Sequence, residues 1–223
     1  MIITIGISGA SCADIGHLVT ENFPKFDNIT SRRFFQETNL ANGECPDAID
    51  FNSFISTLCE LRTSASLVKT FKSKKVQIRK NVESTELDNL TLNLNAKVQN
   101  VLMQTENELY FVFIDGFLLY VNPDVIKQLD IKLFLKADYD TVKKRRETEY
   151  GKKLLGRRWV DPPNYFDQMV WPNYIKANDH IINRSGGEND LLNDLIVLES
   201  NSLSTLSENI EKVVKVILEK LSK

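Results

Sequence analysis

Cysteine is scarce in this chain and sits in no useful pattern. Cys12, Cys45 and Cys59 are odd in number and fit no metal-ligand spacing. They therefore argue against a disulfide framework or a cysteine-built metal site, and for free thiols in a reducing compartment. No apolar stretch approaches the ~20 residues of a membrane helix. The opening lacks a basic segment followed by a long apolar run, so no secretory leader is expected. Charge of one sign is missing too: 28 Lys and Arg face 30 Asp and Glu, a net charge of −2. Without a basic excess, nucleic acid is not an expected partner. The two histidines, His17 and His180, stand alone and read as solvent or helix-start residues rather than ligands. A protein of the cytoplasm or nucleus, with no metal site and no membrane contact, is the expectation.

With 42% hydrophobic and 26% charged residues, the 223 residues suit one α/β domain spanning 1–223. Residues 2–8 predict a buried parallel strand, 16–23 a helix and 27–31 a second strand. Asn42-Gly43 marks a turn, and a helix is expected over 47–61 after Pro46. Residues 62–108 read as an insertion. The lysine-rich strip from Lys69 to Lys80 suggests a solvated strand pair or loop, with a docking patch for an acidic partner as the alternative. Leu94, Val98, Val101 and Leu102 keep the spacing of a helix ending near Asn107. Residues 110–120 form the clearest strand, with Asp115 where ligands of open sheets sit. Further on, the pattern predicts a strand over 129–135, a helix over 138–149 and a basic, lid-like segment over about 147–165. A last strand over 179–183 and an amphipathic helix over 203–221 close the chain. Alternation of this kind predicts a doubly wound α/β fold with a central, mostly parallel sheet.

Gly6-Ile7-Ser8-Gly9 follows the first strand and opens Ala10-Ser11-Cys12-Ala13-Asp14-Ile15-Gly16. Strand, glycine-bearing loop and helix is the setting of a phosphate-binding loop, G-x-x-x-x-G-K-[ST]. Counted from Gly9, the second glycine falls on Asp14, the lysine on Ile15 and the hydroxyl on Gly16. Ile15 cannot meet a phosphate as a cation, and Gly16 has no oxygen for Mg²⁺. Asp14 adds a negative charge beside an anion, which costs ~1–4 kcal/mol at ~4 Å. Residues 9–16 are thus a degenerate nucleotide-binding loop.

Six separated segments resemble the nicotinamide riboside kinases of the uridine-kinase branch of P-loop kinases. They are Gly6-Ile7-Ser8-Gly9, Phe34-Phe35, Cys45 to Phe51, Ile114 to Leu119, Lys144-Arg145-Arg146, and Asp161 to Asp167 with Val170-Trp171-Pro172-Asn173-Tyr174. The resemblance implies a P-loop NTPase-like three-layer α/β/α fold with a basic lid, and phosphorylation of a riboside by ATP and Mg²⁺. It also marks losses. The family's carboxylate base falls on Arg32, a permanent cation that cannot accept a proton. A neighbouring acid falls on Arg33, and the tyrosine and aspartate that would grip a riboside fall on Gly43 and Glu44. Asp115 replaces the family's glutamate as a remnant that can cap a helix.

Two functions follow from these residues. In the first, the chain is a pseudokinase with neither ATP nor Mg²⁺ as cofactor, and serves as a binding or scaffold subunit for an unidentified protein partner. In the second it is an active riboside kinase that uses ATP and Mg²⁺ through an unusual loop, with Arg32, Arg33, Arg145 and Arg146 as substitute cations. Between them stands a pocket for a small anion or substrate formed by Arg32, Arg33, Phe34, Glu44, Arg145 and Arg146. Trp159 and Trp171 read as packing residues beside the Pro162-Pro163 segment.

Overall fold

The computed structural model describes residues 1–9, 26–30, 34, 44–63, 85–104, 108–147, 161–183, 190–201 and 204–221. Five strands form one sheet: β1 (Ile2–Gly9), β2 (Phe26–Thr30), β3 (Tyr110–Asp115), β4 (Ile131–Lys136) and β5 (Ile196–Glu199). Their order is β2-β3-β1-β4-β5, and every pairing is parallel. The helices are α1 (Phe51–Thr63), α2 (Thr85–Met103), α3 (Pro123–Ile126), α4 (Tyr139–Glu147), α5 (Trp171–Ile182) and α6 (Ser204–Leu221).

Alternation along β1 divides the core into two faces. Ile3, Ile5 and Ile7 pack with Phe111, Phe113, Leu133 and Leu135 against Leu94 and Val98 of α2 and Val213 and Ile217 of α6. On the opposite face, Val112, Ile114 and Phe134 meet Phe54, Leu58 and Leu61 of α1, Val142 of α4 and Tyr174 and Ile181 of α5. This is the expected three-layer α/β/α architecture. Each fully buried aliphatic or aromatic side chain contributes about 1.5–3 kcal/mol by leaving water.

Polar contacts fix the register where packing alone would let strands slide. Asp130 receives the Thr4 N–H at 2.9 Å and two guanidinium bonds from Arg62, each at 3.1 Å. The last turn of α1 is thereby bound to the starts of β1 and β4. The Tyr120 hydroxyl, buried, lies 2.9 Å from the carbonyl oxygens of both Gly6 and Leu133 and accepts the Leu133 N–H at 2.8 Å. A Cβ on Gly6 would stand 3.2 Å from that hydroxyl and 2.6 Å from Leu129, so glycine leaves room for the tyrosine.

Several elements differ from the sequence expectation. The last strand is not 179–183: those residues lie at the end of α5, and Ile196–Glu199 is the final strand. Tyr174, Asn178 and Ile181 are all buried on one side of α5, a helical period that the apolar pair Ile181-Ile182 had masked. The expected 47–61 helix divides into a 3-10 turn, Pro46–Ala48, and α1. Asp50 makes the break by accepting the Ser53 N–H at 3.0 Å and its hydroxyl at 2.7 Å, as a helix cap does. In the 62–108 stretch, the helix expected to end near Asn107 is Thr85–Met103 and ends four residues earlier. The lysine strip 69–80 and the helix expected over 16–23 lie outside the described residues. The strand expected over 110–120 stops at Asp115, and Leu119–Val121 turns as a 3-10 helix.

Tyr120→Phe keeps the ring but removes the acceptor from the buried Leu133 N–H. A loss of about 1–3 kcal/mol is expected, read from the urea midpoint at unchanged slope.

Candidate functional site at the carboxyl ends of the strands

Parallel pairing brings three strand ends together. Asp115 lies in register with Ile7 of β1 on one side and Thr30 of β2 on the other. The crevice beyond such ends is where open α/β sheets hold ligands. β1 stops at Gly9, whose φ of +130 places it in a region that side chains rarely adopt. A Cβ there would stand 2.2 Å from the Leu135 carbonyl oxygen, so the chain can leave the sheet at this point only through glycine. Ser8, fully buried just before it, has a hydroxyl with no partner among the described residues. Ala10, Ser11, Cys12, Ala13, Asp14, Ile15 and Gly16 lie outside the described residues, as do Arg32 and Arg33.

Phe34 and Glu44 have different roles. Phe34 stacks on fully buried Phe54 with ring centroids 4.8 Å apart, and its carbonyl accepts the Asp50 N–H at 2.8 Å. It is a packing residue that anchors the start of α1. Glu44 instead meets Arg146, at 2.8 Å from Nη2. Asp161 holds the same guanidinium through Nε at 2.6 Å and Nη2 at 3.2 Å, the two-pronged geometry that suits arginine. Burial works against the Arg146 charge, but Asp161 and Glu44 outweigh it and hold its pKa above the ordinary arginine value. Tyr165 lies with its ring 5.7 Å from the guanidinium carbon. Burial and then the Glu44 charge push its phenol up from the usual value.

Arg145, the next residue, points elsewhere. Its Nη2 donates to the Ser200 carbonyl oxygen at 2.6 Å and its Nη1 to the Ser200 hydroxyl at 3.3 Å. Of the six residues expected to share an anion pocket, Glu44 and Arg146 are in contact. Asp161 and Tyr165 complete that cluster. Composition gave no sign of either, although an acid directly before Pro162-Pro163 was visible.

A second polar cluster supports α4. Lys143 donates to both oxygens of Asp167 at 2.9 Å and to the Tyr139 hydroxyl at 3.0 Å. The Tyr139 hydroxyl also donates to Asp167. Those bonds, from Tyr139 first and Lys143 second, lower the Asp167 pKa. Tyr139 meets Phe166 and Trp171 edge-on at 5.4 and 5.3 Å, so Trp171 packs, as expected. His180 places Nε2 2.8 Å from the Tyr120 carbonyl oxygen. Cys59 is an exposed free thiol, and among the described residues no helix is long and apolar enough to cross a membrane.

No family model matches the chain. The nicotinamide riboside kinase of Schizosaccharomyces pombe is 28% identical over 232 residues, covering 98% of this chain and 97% of that protein. The nicotinamide riboside kinase of Saccharomyces cerevisiae is 27% identical, covering 79% and 77%. The chain is a divergent relative of the nicotinamide riboside kinases. Nicotinamide riboside kinase 1 of Rattus norvegicus is 30% identical over half of each chain. Among solved structures, dephospho-CoA kinase from Campylobacter jejuni aligns with 98% of both chains at 14% identity and a TM-score of 0.33, too loose a likeness to argue from.

Gly9→Ala combines a strained φ with a backbone clash, and a loss of about 2–4 kcal/mol is expected in chemical denaturation. A pH titration tests the Asp167 cluster. The folded-state pKa lies below the unfolded value near 3.8, so the stability it adds is present above that value and is lost as pH falls through the folded pKa. Asp167→Asn removes this component. Its thermal midpoint should lie below wild type at neutral pH and converge with it as pH falls below about 3.8 and on through the folded pKa.

Proposed function

We propose that this chain is a nicotinamide-riboside-kinase-like protein that has lost ATP binding and phosphoryl transfer and acts as a binding or scaffold subunit for a protein partner. The observation that carries the proposal is the set of residues at Gly9–Gly16: where the loop needs a lysine and a metal-binding hydroxyl, it has Ile15 and Gly16. Phosphoryl transfer depends almost wholly on positioning and charge stabilisation. A substitute cation would therefore have to come from nearby arginines. Arg145 is engaged by Ser200, and Arg146 by Glu44 and Asp161. Both are thus engaged by other groups, and Arg32 and Arg33 lie outside the described residues. ATP and Mg²⁺ do not fit the residues at Ile15 and Gly16, which offer neither a cation nor an oxygen ligand.

The second reading is an active riboside kinase with a non-standard loop. It is favoured by the full-length match to proteins named nicotinamide riboside kinase and by the carboxylate that Asp115 keeps at the end of β3.

Isothermal titration with Mg-ATP separates the two, together with ADP release in the presence of nicotinamide riboside or uridine. The pseudokinase reading expects no micromolar, magnesium-dependent binding and no turnover above a no-enzyme control. Either signal in the wild-type protein overturns it.

A further inference from the structure

The outer face of α6 carries four charges in an order that inverts about its own centre. Glu208, Glu211, Lys212 and Lys215 are all exposed, and their offsets of three, four and seven residues set them on one stripe of the helix. About the midpoint between Glu211 and Lys212, each acid has a lysine at the mirrored position. The stripe forms one wall of a groove of about 810 Å³ between α6 and α2, which Lys97 of α2 and Glu219 of α6 also line. Three acids thus stand against three lysines, so net charge favours neither an acidic nor a basic partner. Within one helix the stripe could close as Glu208–Lys212 and Glu211–Lys215, the favoured order at a spacing of four. Among the described residues the ion pair on this face is Lys215 with Glu219, at 3.9 Å, and neither of those two forms.

We infer that this face of α6 is a homodimerisation surface, on which a second copy of the chain lays its own α6 antiparallel along the groove. A twofold axis through the Glu211–Lys212 midpoint sets Glu208 opposite Lys215 of the second copy and Glu211 opposite its Lys212. Symmetry repeats both contacts, so four residues per copy make four ion pairs. A parallel arrangement, or a slip by one helical turn, brings like charges together instead. The pattern therefore fixes direction and register as well as partner. Each α6 enters the groove of the other copy, which removes water from around the pairs and strengthens them. The attraction is one of charge, so it weakens with salt. It concerns α6 and not the strand ends, and stands whether or not the chain binds Mg-ATP.

The test is sedimentation equilibrium at about 100 µM protein, in about 50 mM and about 500 mM salt. The samples are wild type, Glu208→Lys with Glu211→Lys, Lys212→Glu with Lys215→Glu, and an equal mixture of the two variants. Wild type is expected at twice the monomer mass in low salt, with a dissociation constant at least about tenfold higher in high salt. Each variant alone places like charges across the twofold axis and should sediment as a monomer. The mixture restores opposite charges at all four contacts and should return to the dimer mass. A monomeric wild type in low salt overturns the inference, and is the result expected if this face serves a different protein. A dimer that persists in both variants overturns it too, as does a mixture that stays monomeric. Should either variant fail to fold by circular dichroism, Glu211→Lys and Lys212→Glu take their places. Those two reverse only the central contact, and again pair only when mixed.

Discussion

A side chain at Gly9 would strike the Leu135 carbonyl oxygen at 2.2 Å, and that lack of room governs how the chain leaves its central strand. β1 is paired on both sides, with β3 and β4, and buried on both faces. Its carboxyl end cannot drift, because the Tyr120 hydroxyl lies between Gly6 and Leu133 while Leu135 closes over Gly9. The loop after Gly9 therefore starts from a fixed point and a fixed direction. Asp115, in register with Ile7, is set beside it by the same strand pairing. A scaffold of this kind holds a shape whether or not the loop still carries its functional groups, because the packing that sets the geometry lies beneath the site.

Charge at the site obeys a different logic. Lys144-Arg145-Arg146 reads in one dimension as a basic run awaiting an anion. In three dimensions Arg145 turns to Ser200 at the end of the sheet, while Arg146 turns to Glu44 and Asp161. Adjacent residues on a helix point about 100° apart, so neighbours in sequence meet different partners. Separating a half-buried guanidinium from two acids leaves three charges poorly solvated, which is why such pairs resist rearrangement once formed.

The two clusters on α4 also divide the work of holding that helix. Tyr139 and Lys143 bind Asp167 on the outer side, and the aromatic rings of Phe166 and Trp171 cover the same contact. Arg146, one turn on, binds Asp161. Both acids belong to the Asp161–Asp167 run, so one stretch of sequence secures α4 at two points. The motif Asp161-Pro162-Pro163-Asn164-Tyr165-Phe166-Asp167 is thus a docking strip for α4, and Asn164 takes a φ of 61 within it to let both acids reach the helix.

Strand periodicity and loop composition were legible in the chain itself. Ile3, Ile5 and Ile7 announced a buried strand, and Leu94 and Val98 a helix. Local pattern misled where two periods fit the same few residues, as at Ile181-Ile182, and where an apolar run continued past a strand end, as at Phe117 to Tyr120. What the sequence by itself determined was the fold class, since it depends on residue type and spacing along the chain. What only the tertiary structure decided was which charges neutralise one another. Glu44, Arg146 and Asp161 lie over a hundred residues apart at their extremes, and nothing but the folding of α4 onto its neighbours brings them within a hydrogen bond.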